Sequence, residues 1–322
     1  MSKQVLVTLA DRNYVPQAKQ LFSSVYHNSG WKGDYLLLAH KIPDHTAKWF
    51  TDKGILVLPV EPLSKKGFDK HPSTILSKFY LFTPELRRWK KVVFLDGDII
   101  VEASLQALAH IKDFGAVPDI HFMPLGGQFV SPRPNRGDGH KKAFYELERG
   151  YDLREVAFNS GMMAFDTGAI EDDALEALML LYKRYGRISN SEQSILNLYL
   201  YKRWQHLPLV YDNYFPYHRP SWKPRYKPTM AVVQHFLWDK PWTRKDRHFD
   251  RLWAQNLAMS ERIDLGKRAP PARVLSHAEV QAQERFLTKV NGGVGPMRKV
   301  MHAAVDWADP MIGKVGRLVR GK

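Results

Sequence analysis

Through the first hundred residues, short apolar runs alternate with stretches in which apolar residues recur every three or four positions. Residues 5–9 form a nearly continuous apolar run, as a strand buried on both faces does. Over 16–28, Pro16 stands at the start and Ala18, Leu21, Phe22 and Val25 share one face, which predicts a helix. The same reading gives strands at 35–39, 55–60 and 92–95, with helices over 45–53 and around 74–82. This alternation predicts an α/β sheet with parallel strands. Ligands of such sheets bind beyond the carboxyl ends of the strands. Ala10-Asp11-Arg12-Asn13 and Asp96-Gly97-Asp98 both fall at such ends.

Residues 119–157 are rich in Gly, Pro and Arg and predict a long loop or insertion. Periodicity returns with a strand at 161–165, helices at about 173–185 and 191–203, and a strand at 230–235. Between them, 211–228 is a loop dense in aromatics. Its Tyr211, Tyr214, Phe215, Tyr217, Trp222 and Tyr226 form either a sugar-stacking surface or a packed, Pro-stiffened loop. Beyond about 260, Gly266-Lys267-Arg268-Ala269-Pro270-Pro271 reads as a linker, and Ser276-His277-Ala278-Glu279 as a capping box opening a helix to about 290. Residues 296–320 space their apolar side chains as one helical stripe with basic residues between. That stripe fits either an anionic membrane surface or the packed face of a terminal helix. The division expected is one domain over 1–260 and a basic helical extension over 261–322.

Lys+Arg minus Asp+Glu is 48 − 33, or +15, in 322 residues. Such a balance fits a polyanionic partner: nucleic acid, an anionic membrane face or a phosphorylated substrate. There is no cysteine, which excludes disulfides and thiolate metal sites and fits a reducing compartment. No run reaches the roughly 18–20 apolar residues of a membrane span, and Met1-Ser2-Lys3 leads into the first strand without a signal peptide. The expectation is a cytoplasmic protein, peripheral at the inner face of a membrane.

Candidate chemistry starts at Val92-Val93-Phe94-Leu95-Asp96-Gly97-Asp98. Two carboxylates at i and i+2 on extended backbone share a side and can hold a hard divalent cation. The alternative is a β-hairpin, with Asp-Gly as the turn and Ile99-Ile100-Val101 as the return strand. Three later segments bear on the choice. Asn159-Ser160-Gly161 precedes a strand, as turn residues or as sugar-binding amide and hydroxyl. Glu192-Gln193 opens a helix, as an ordinary N-terminal acid or as a carboxylate and amide facing a cationic sugar centre. His235 ends a strand, where it would be the third ligand to the aspartate pair, and Lys240 could neutralise a phosphate.

These segments, with Thr8-Leu9-Ala10-Asp11, Asn13-Tyr14 and Lys78-Phe79-Tyr80 ahead of them, resemble in order the retaining glycosyltransferases of family 8, over about residues 3–245. The group includes glycogenin, galactinol synthases and bacterial lipooligosaccharide galactosyltransferases. The resemblance implies a GT-A fold, a Rossmann-like mixed sheet flanked by helices, that binds a UDP-sugar with Mn²⁺. It implies that Ala10, Asp11, Asn13 and Tyr14 lie against uracil and ribose, and that Asp96, Asp98 and His235 hold the metal, with Asp96 reaching the ribose as well. Gly97 lies between the two aspartates. Lys78, Asn159 and Ser160 would lie on the sugar side and Lys240 at the diphosphate, while Glu192-Gln193 sits beside the anomeric carbon, with Glu192 the candidate nucleophile of a covalent intermediate and same-face delivery of the acceptor the alternative. The implied acceptor is a glycan or glycolipid.

Two positions depart from the family's pattern. Glu192 stands where members often have Asp, which moves the carboxylate by one methylene. Trp238 stands where a Gly is usual, and His235 to Lys240 is one residue shorter than in many members. A glycogenin-like enzyme on a soluble glucan or protein is the alternative within the class. A basic nucleic-acid-binding module rests on charge alone and leaves the aspartate pair unexplained. A dehydrogenase is disfavoured because the first βα turn has no Gly-x-Gly-x-x-Gly. A non-catalytic transferase fold is the remaining reading.

Overall fold

The computed structural model describes residues 3–68, 71–130, 137–214, 231–267 and 269–291. Strand β1 (Gln4–Asp11), helix α1 (Val15–Asn28), β2 (Asp34–His40), α2 (Asp44–Asp52), β3 (Leu56–Val60) and β4 (Lys91–Leu95) follow one another as their apolar spacing predicts. β1 lies between β2 and β4 and runs parallel to both, and β3 extends the sheet parallel to β2. Alternate side chains of each strand go to opposite faces. Leu6, Ala10, Val93 and Leu95 enter the core on one side of the sheet. Val5, Val7, Val92 and Phe94 enter the core on the other. Burial on both faces explains why these strands read as apolar runs rather than as alternating patterns.

β6 (Phe114–Pro118), β7 (Phe158–Asp166) and β8 (Gln205–His206) complete a seven-stranded sheet in the order β3-β2-β1-β4-β7-β6-β8. β7 runs antiparallel to both β4 and β6, so the sheet is mixed. The start of β7 and the end of β6 therefore lie at the same sheet edge as the carboxyl ends of β1 and β4. Helices α3 (Asp138–Gly150), α4 (Ala174–Tyr185), α5 (Glu192–Tyr199) and α6 (His248–Met259) flank the sheet.

Several expectations are corrected. Residues 119–157 are not one loop: they contain α3, whose Ala143, Phe144 and Leu147 are buried. Gly137-Asp138-Gly139 reads as a breaker in sequence but stands at the start of that helix. The helix expected around 74–82 is a 3₁₀-helix, Ser73–Phe82. Leu76, Phe79 and Phe82 recur every three residues and are all buried, which matches the 3₁₀ repeat. Its end at Thr83 follows from Pro84, which forces the preceding residue into extended backbone. The helix expected over 191–203 stops at Tyr199.

β5 (Ile99–Val101) does not fold back on β4. It pairs antiparallel with β9 (Val233–His235) in a separate two-stranded sheet, which removes the hairpin alternative. The strand expected over 230–235 is described only from its later residues, Met230 lying outside the described set. So do the stripe at 296–320 and the aromatics Phe215, Tyr217, Trp222 and Tyr226. Tyr211 and Tyr214 are buried and pack inward, so these two belong to the packed-loop reading.

After residue 260 the chain packs back against the end of α1 and the segment that follows Ile99–Val101. Arg273 N–H donates to the Asn28 carbonyl, and the Arg273 carbonyl accepts from Ser104. Helix α7 (His277–Asn291) opens with the expected capping box, in which Ser276 N–H donates to the Glu279 carboxylate at 2.7 Å and Glu279 N–H to Ser276 Oγ at 3.2 Å. Among the described residues no helix is long and apolar enough to cross a membrane.

Candidate active site

β4 delivers Asp96, Gly97 and Asp98 to the corner between the two sheets. Asp96 N–H donates to the Gly161 carbonyl at 2.8 Å, and the Asp98 carbonyl accepts from Phe236 at 3.1 Å. The second bond brings β9, and with it His235, back over the corner. One ligand atom from each of Asp96, Asp98 and His235 lies within 4.8 Å of the others. Nε2 of His235 is 3.3 Å from Asp98 Oδ1, and Nδ1 is 2.9 Å from Asp212 Oδ1. Lys240 binds the other oxygen of Asp98. The shorter spacing from His235 therefore still delivers this lysine. Trp238, between them, is 59% exposed.

Charge in this corner is tightly balanced. Burial raises Asp98, but His235 and Lys240 outweigh it and hold the carboxyl below its ordinary range. Burial pushes Asp96 up to about 6 against the pull of Lys78. Burial disfavours the imidazolium of His235, yet Asp212 and Asp98 overcome this and raise it to about 10.

Beside the metal group is a second cluster. Lys78, on the 3₁₀-helix, is buried, with Nζ 3.1 Å from Asp96 Oδ2, 2.8 Å from Glu192 Oε1 and 3.1 Å from Ser160 Oγ. Burial works to lower this lysine, but Asp96 and Glu192 prevail and hold it above its ordinary value. Ser160 Oγ also donates to Glu192 at 3.1 Å. Gln193 accepts from Ser160 N–H at 2.8 Å and donates to Asp119 at 2.8 Å, which fixes the orientation of its amide. Asn159 accepts from Gly161 N–H at 2.8 Å and donates to Asp119 at 3.3 Å. Asn159 and Ser160 lie inside β7 rather than in a turn before it.

The first βα turn closes the site's other side. Asp11 accepts from Asn13 N–H at 2.8 Å and Tyr14 N–H at 3.1 Å, so its carboxylate shapes the turn into α1. Ala10 is buried, Asn13 is exposed, and Tyr14 is 43% exposed with its ring edge-on to Trp242. Tyr14 lies over Gly97, where an added Cβ would stand 3.7 Å from its ring. Asp11 and Asn13 stay at this rim, while Lys78, Asp96, Asn159, Ser160, Glu192 and Gln193 converge.

Two residues at the site escape the motif reading, and a third, Gly161, takes a role other than the turn expected of it. Asp119 follows a Pro at the head of what reads as a loop. Asp212 precedes an aromatic stretch with no spacing signal. Gly161 reads as a turn residue, but an added Cβ there would lie 2.3 Å from His235 Cε1, so its role is close approach.

The profile of glycosyl transferase family 8 matches residues 5–246. The chain belongs to glycosyl transferase family 8. That family is one of retaining, UDP-sugar-dependent enzymes. Among curated relatives from Streptococcus pneumoniae serotype 4, glycosyltransferase GlyF is 24% identical over 262 residues, 74% of this chain and 57% of that protein. Glycosyltransferase GlyB is 29% identical over 168 residues, 52% of this chain and 31% of that protein. The chain thus spans about half the length of the first of these relatives and a third of the second. The galactosyltransferase LgtC, solved with donor and acceptor sugar analogues, superposes with a TM-score of 0.58 at 18% identity, covering 79% of this chain and 95% of that one. The bifunctional glycosyltransferase WbbM gives 0.61 at 18% identity, covering 81% and 51%. These likenesses show the fold: a GT-A arrangement of a mixed Rossmann-like sheet with flanking helices.

The donor set suits a divalent cation typical of the family. Two carboxylates and one imidazole suit a hard or borderline divalent cation rather than a thiophilic metal. The crowding of Asp96 and Asp98 is the arrangement a dication would relieve.

Proposed function

We propose that this family 8 chain is a retaining hexosyltransferase, moving a hexose from a UDP-sugar to a glycan or glycolipid acceptor with Mn²⁺. Residues 1–260 form its catalytic domain, and the segment that follows packs back on it as far as α7, with Ile263, Leu275, Val280 and Leu287 in the same core. The observation that carries the reading is the adjacency of two clusters: Asp96, Asp98 and His235 on one side, and Lys78 bridging Asp96 to Glu192 on the other.

The roles follow from charge. Asp96, Asp98 and His235 would hold the metal, which supplies positive charge against the diphosphate as the anomeric C–O bond breaks. Lys240 adds a second cation there. Ala10, Asp11, Asn13 and Tyr14 line the nucleotide side, with the Tyr14 ring offering an apolar face. Gly97 lies beneath that ring, between the two aspartates. Asn159 and Ser160 present an amide and a hydroxyl to the sugar.

On the sugar side the reacting centre gains positive charge. Lys78 sets its ammonium 2.8 Å from Glu192, and Gln193 turns its carbonyl oxygen toward Ser160. Oε1 of Glu192 is committed to Lys78 and Ser160. That commitment suits a fixed charge beside the sugar better than an attacking group. The acceptor is membrane-associated and the chain cytoplasmic, at the inner face; the +15 net charge supports this.

The deciding experiment is a screen of UDP-sugars for Mn²⁺-dependent hydrolysis by the full chain. Turnover of one sugar, abolished by chelation and by Asp98→Asn, is the expected result. No binding of UDP with or without Mn²⁺ would overturn the assignment.

A further inference from the structure

Asp212 is wholly buried and belongs to none of the family motifs in the sequence, yet its carboxylate lies 2.9 Å from Nδ1 of His235. We infer that Asp212 is a positioning residue for the metal group: it engages Nδ1 so that Nε2 is the nitrogen His235 presents to the ion. The inference rests on the metal reading of Asp96, Asp98 and His235 given above.

The two nitrogens of an imidazole are distinct, and the partner of one decides which is offered to a metal. Here Nε2 points to Asp98, 3.3 Å away, and so into the carboxylate pair. The ring cannot slide away from Asp212, because its Cε1 edge packs on Gly161 where even a methyl group would not fit. The backbone around Asp212 is pinned to the same strand. His235 N–H donates to the Asn213 carbonyl at 2.8 Å, and Asn213 N–H donates to Val233 at 3.0 Å.

The segment is also anchored from behind. Leu209 and Val210 N–H groups donate to the buried carboxylate of Glu284 on α7 at 2.9 and 3.2 Å. Asp212 is thus held in place by parts of the fold that do not reach the metal group. A carboxylate behind a metal-bound imidazole also increases its basicity as a ligand. The competing account is that the pair only stitches residues 212–214 to β9 and is indifferent to metal.

The test is Mn²⁺ affinity of the purified full chain, read by electron paramagnetic resonance of the free ion, together with thermal melting. The variants are Asp212→Asn, Asp212→Ala, His235→Ala and the Asp212→Ala/His235→Ala double. Asp212→Ala should weaken Mn²⁺ binding roughly 10- to 100-fold, the usual range for such partners. Asp212→Asn, which keeps the shape without the charge, should also weaken it. Removing Asp212 should cost nothing further once His235 is gone. Wild-type affinity in folded Asp212→Asn, or losses that add in the double variant, would overturn the positioning role. Should Asp212→Ala not fold, Asp212→Asn decides alone. A wild-type chain that binds no Mn²⁺ with or without UDP would instead overturn the metal reading, and this inference with it.

Discussion

The ammonium of Lys78 lies 2.8 Å from the carboxylate of Glu192, with both side chains almost fully enclosed. Lys78 also reaches the partly exposed Asp96, so one cation serves two acids. Removing it would strand both negative charges, and breaking a buried pair from one side typically costs about 3–5 kcal/mol. Lys78→Met should therefore lower the melting temperature and reduce kcat by at least about 100-fold. Circular dichroism melts and donor hydrolysis together check this. A stable, active variant would mean the pair is ornamental.

For Glu192, the side chain's place beside Lys78 and Ser160 argues for a fixed charge near the sugar. Glu192→Gln keeps the shape and removes that charge. The expected result is a fall in kcat larger than the rise in KM, since the interaction strengthens as the sugar becomes cationic. A variant with unchanged kcat would reduce Glu192 to a helix-start acid and move attention to Gln193.

The legible part of this chain is the part with a strong local signal. β1, β2 and β4 show in sequence because burial on both faces makes them apolar runs, while the edge strand β3, only partly buried, keeps an apolar run as well. Asp96 and Asp98 show because their spacing is set by one strand end. Asp212 and Asp119 do not, since each gains its meaning from a partner far along the chain: His235 for the first, Asn159 and Gln193 for the second. Helix α3 is missed for a different reason. Gly137 and Gly139 sit at its very start, where a helix tolerates them, but in sequence they mark a break.

The chain's stability should fall as pH rises from about 4.5 to about 7. Burial raises Glu284 to about 7 from its ordinary 4.5, against the pull of two backbone N–H groups. Burial likewise raises Glu102 to about 7, opposed by Gln234 and Arg273. In that window the unfolded chain has released these protons while the folded chain still holds them. Folding is therefore favoured below the window, and the advantage is gone above pH 7. Each group could contribute about 3 kcal/mol to the change. Melting temperatures of wild type and Glu284→Gln between pH 4.5 and 8 test this. The variant should decline less steeply, and parallel curves would refute the assignment to Glu284.

Residues 296–322 lie outside the described set, and their expected behaviour rests on sequence alone. Arg298, Lys299, Lys314, Arg317, Arg320 and Lys322 against Asp306 and Asp309 give 6 − 2, or +4, beside an apolar stripe. A basic amphipathic helix prefers anionic lipid. Co-sedimentation with anionic vesicles should be strong for the full chain at low salt and weak for a chain ending at 294. Equal pelleting of both, or none, would leave a packed or dimerising helix instead.

Gly161 offers the sharpest steric test of the site. It lies on β7, directly against His235, and its missing side chain is what lets the imidazole reach the aspartates. A Cβ there would stand 2.3 Å from His235 Cε1 and 2.9 Å from Asn159 Oδ1, distances no real contact sustains. The strand cannot retreat easily, because the Gly161 carbonyl accepts from Asp96 N–H and its own N–H donates to Asn159. The histidine must give way instead, and β9 with it. Gly161→Ala should thus weaken Mn²⁺-dependent UDP binding by at least about tenfold, the order expected when a metal ligand's support is disturbed. Calorimetry of UDP with Mn²⁺ is the measurement, with the melting temperature as control. Wild-type binding in Gly161→Ala would mean that displacing His235 leaves the metal site intact, and would remove it from the ligand set.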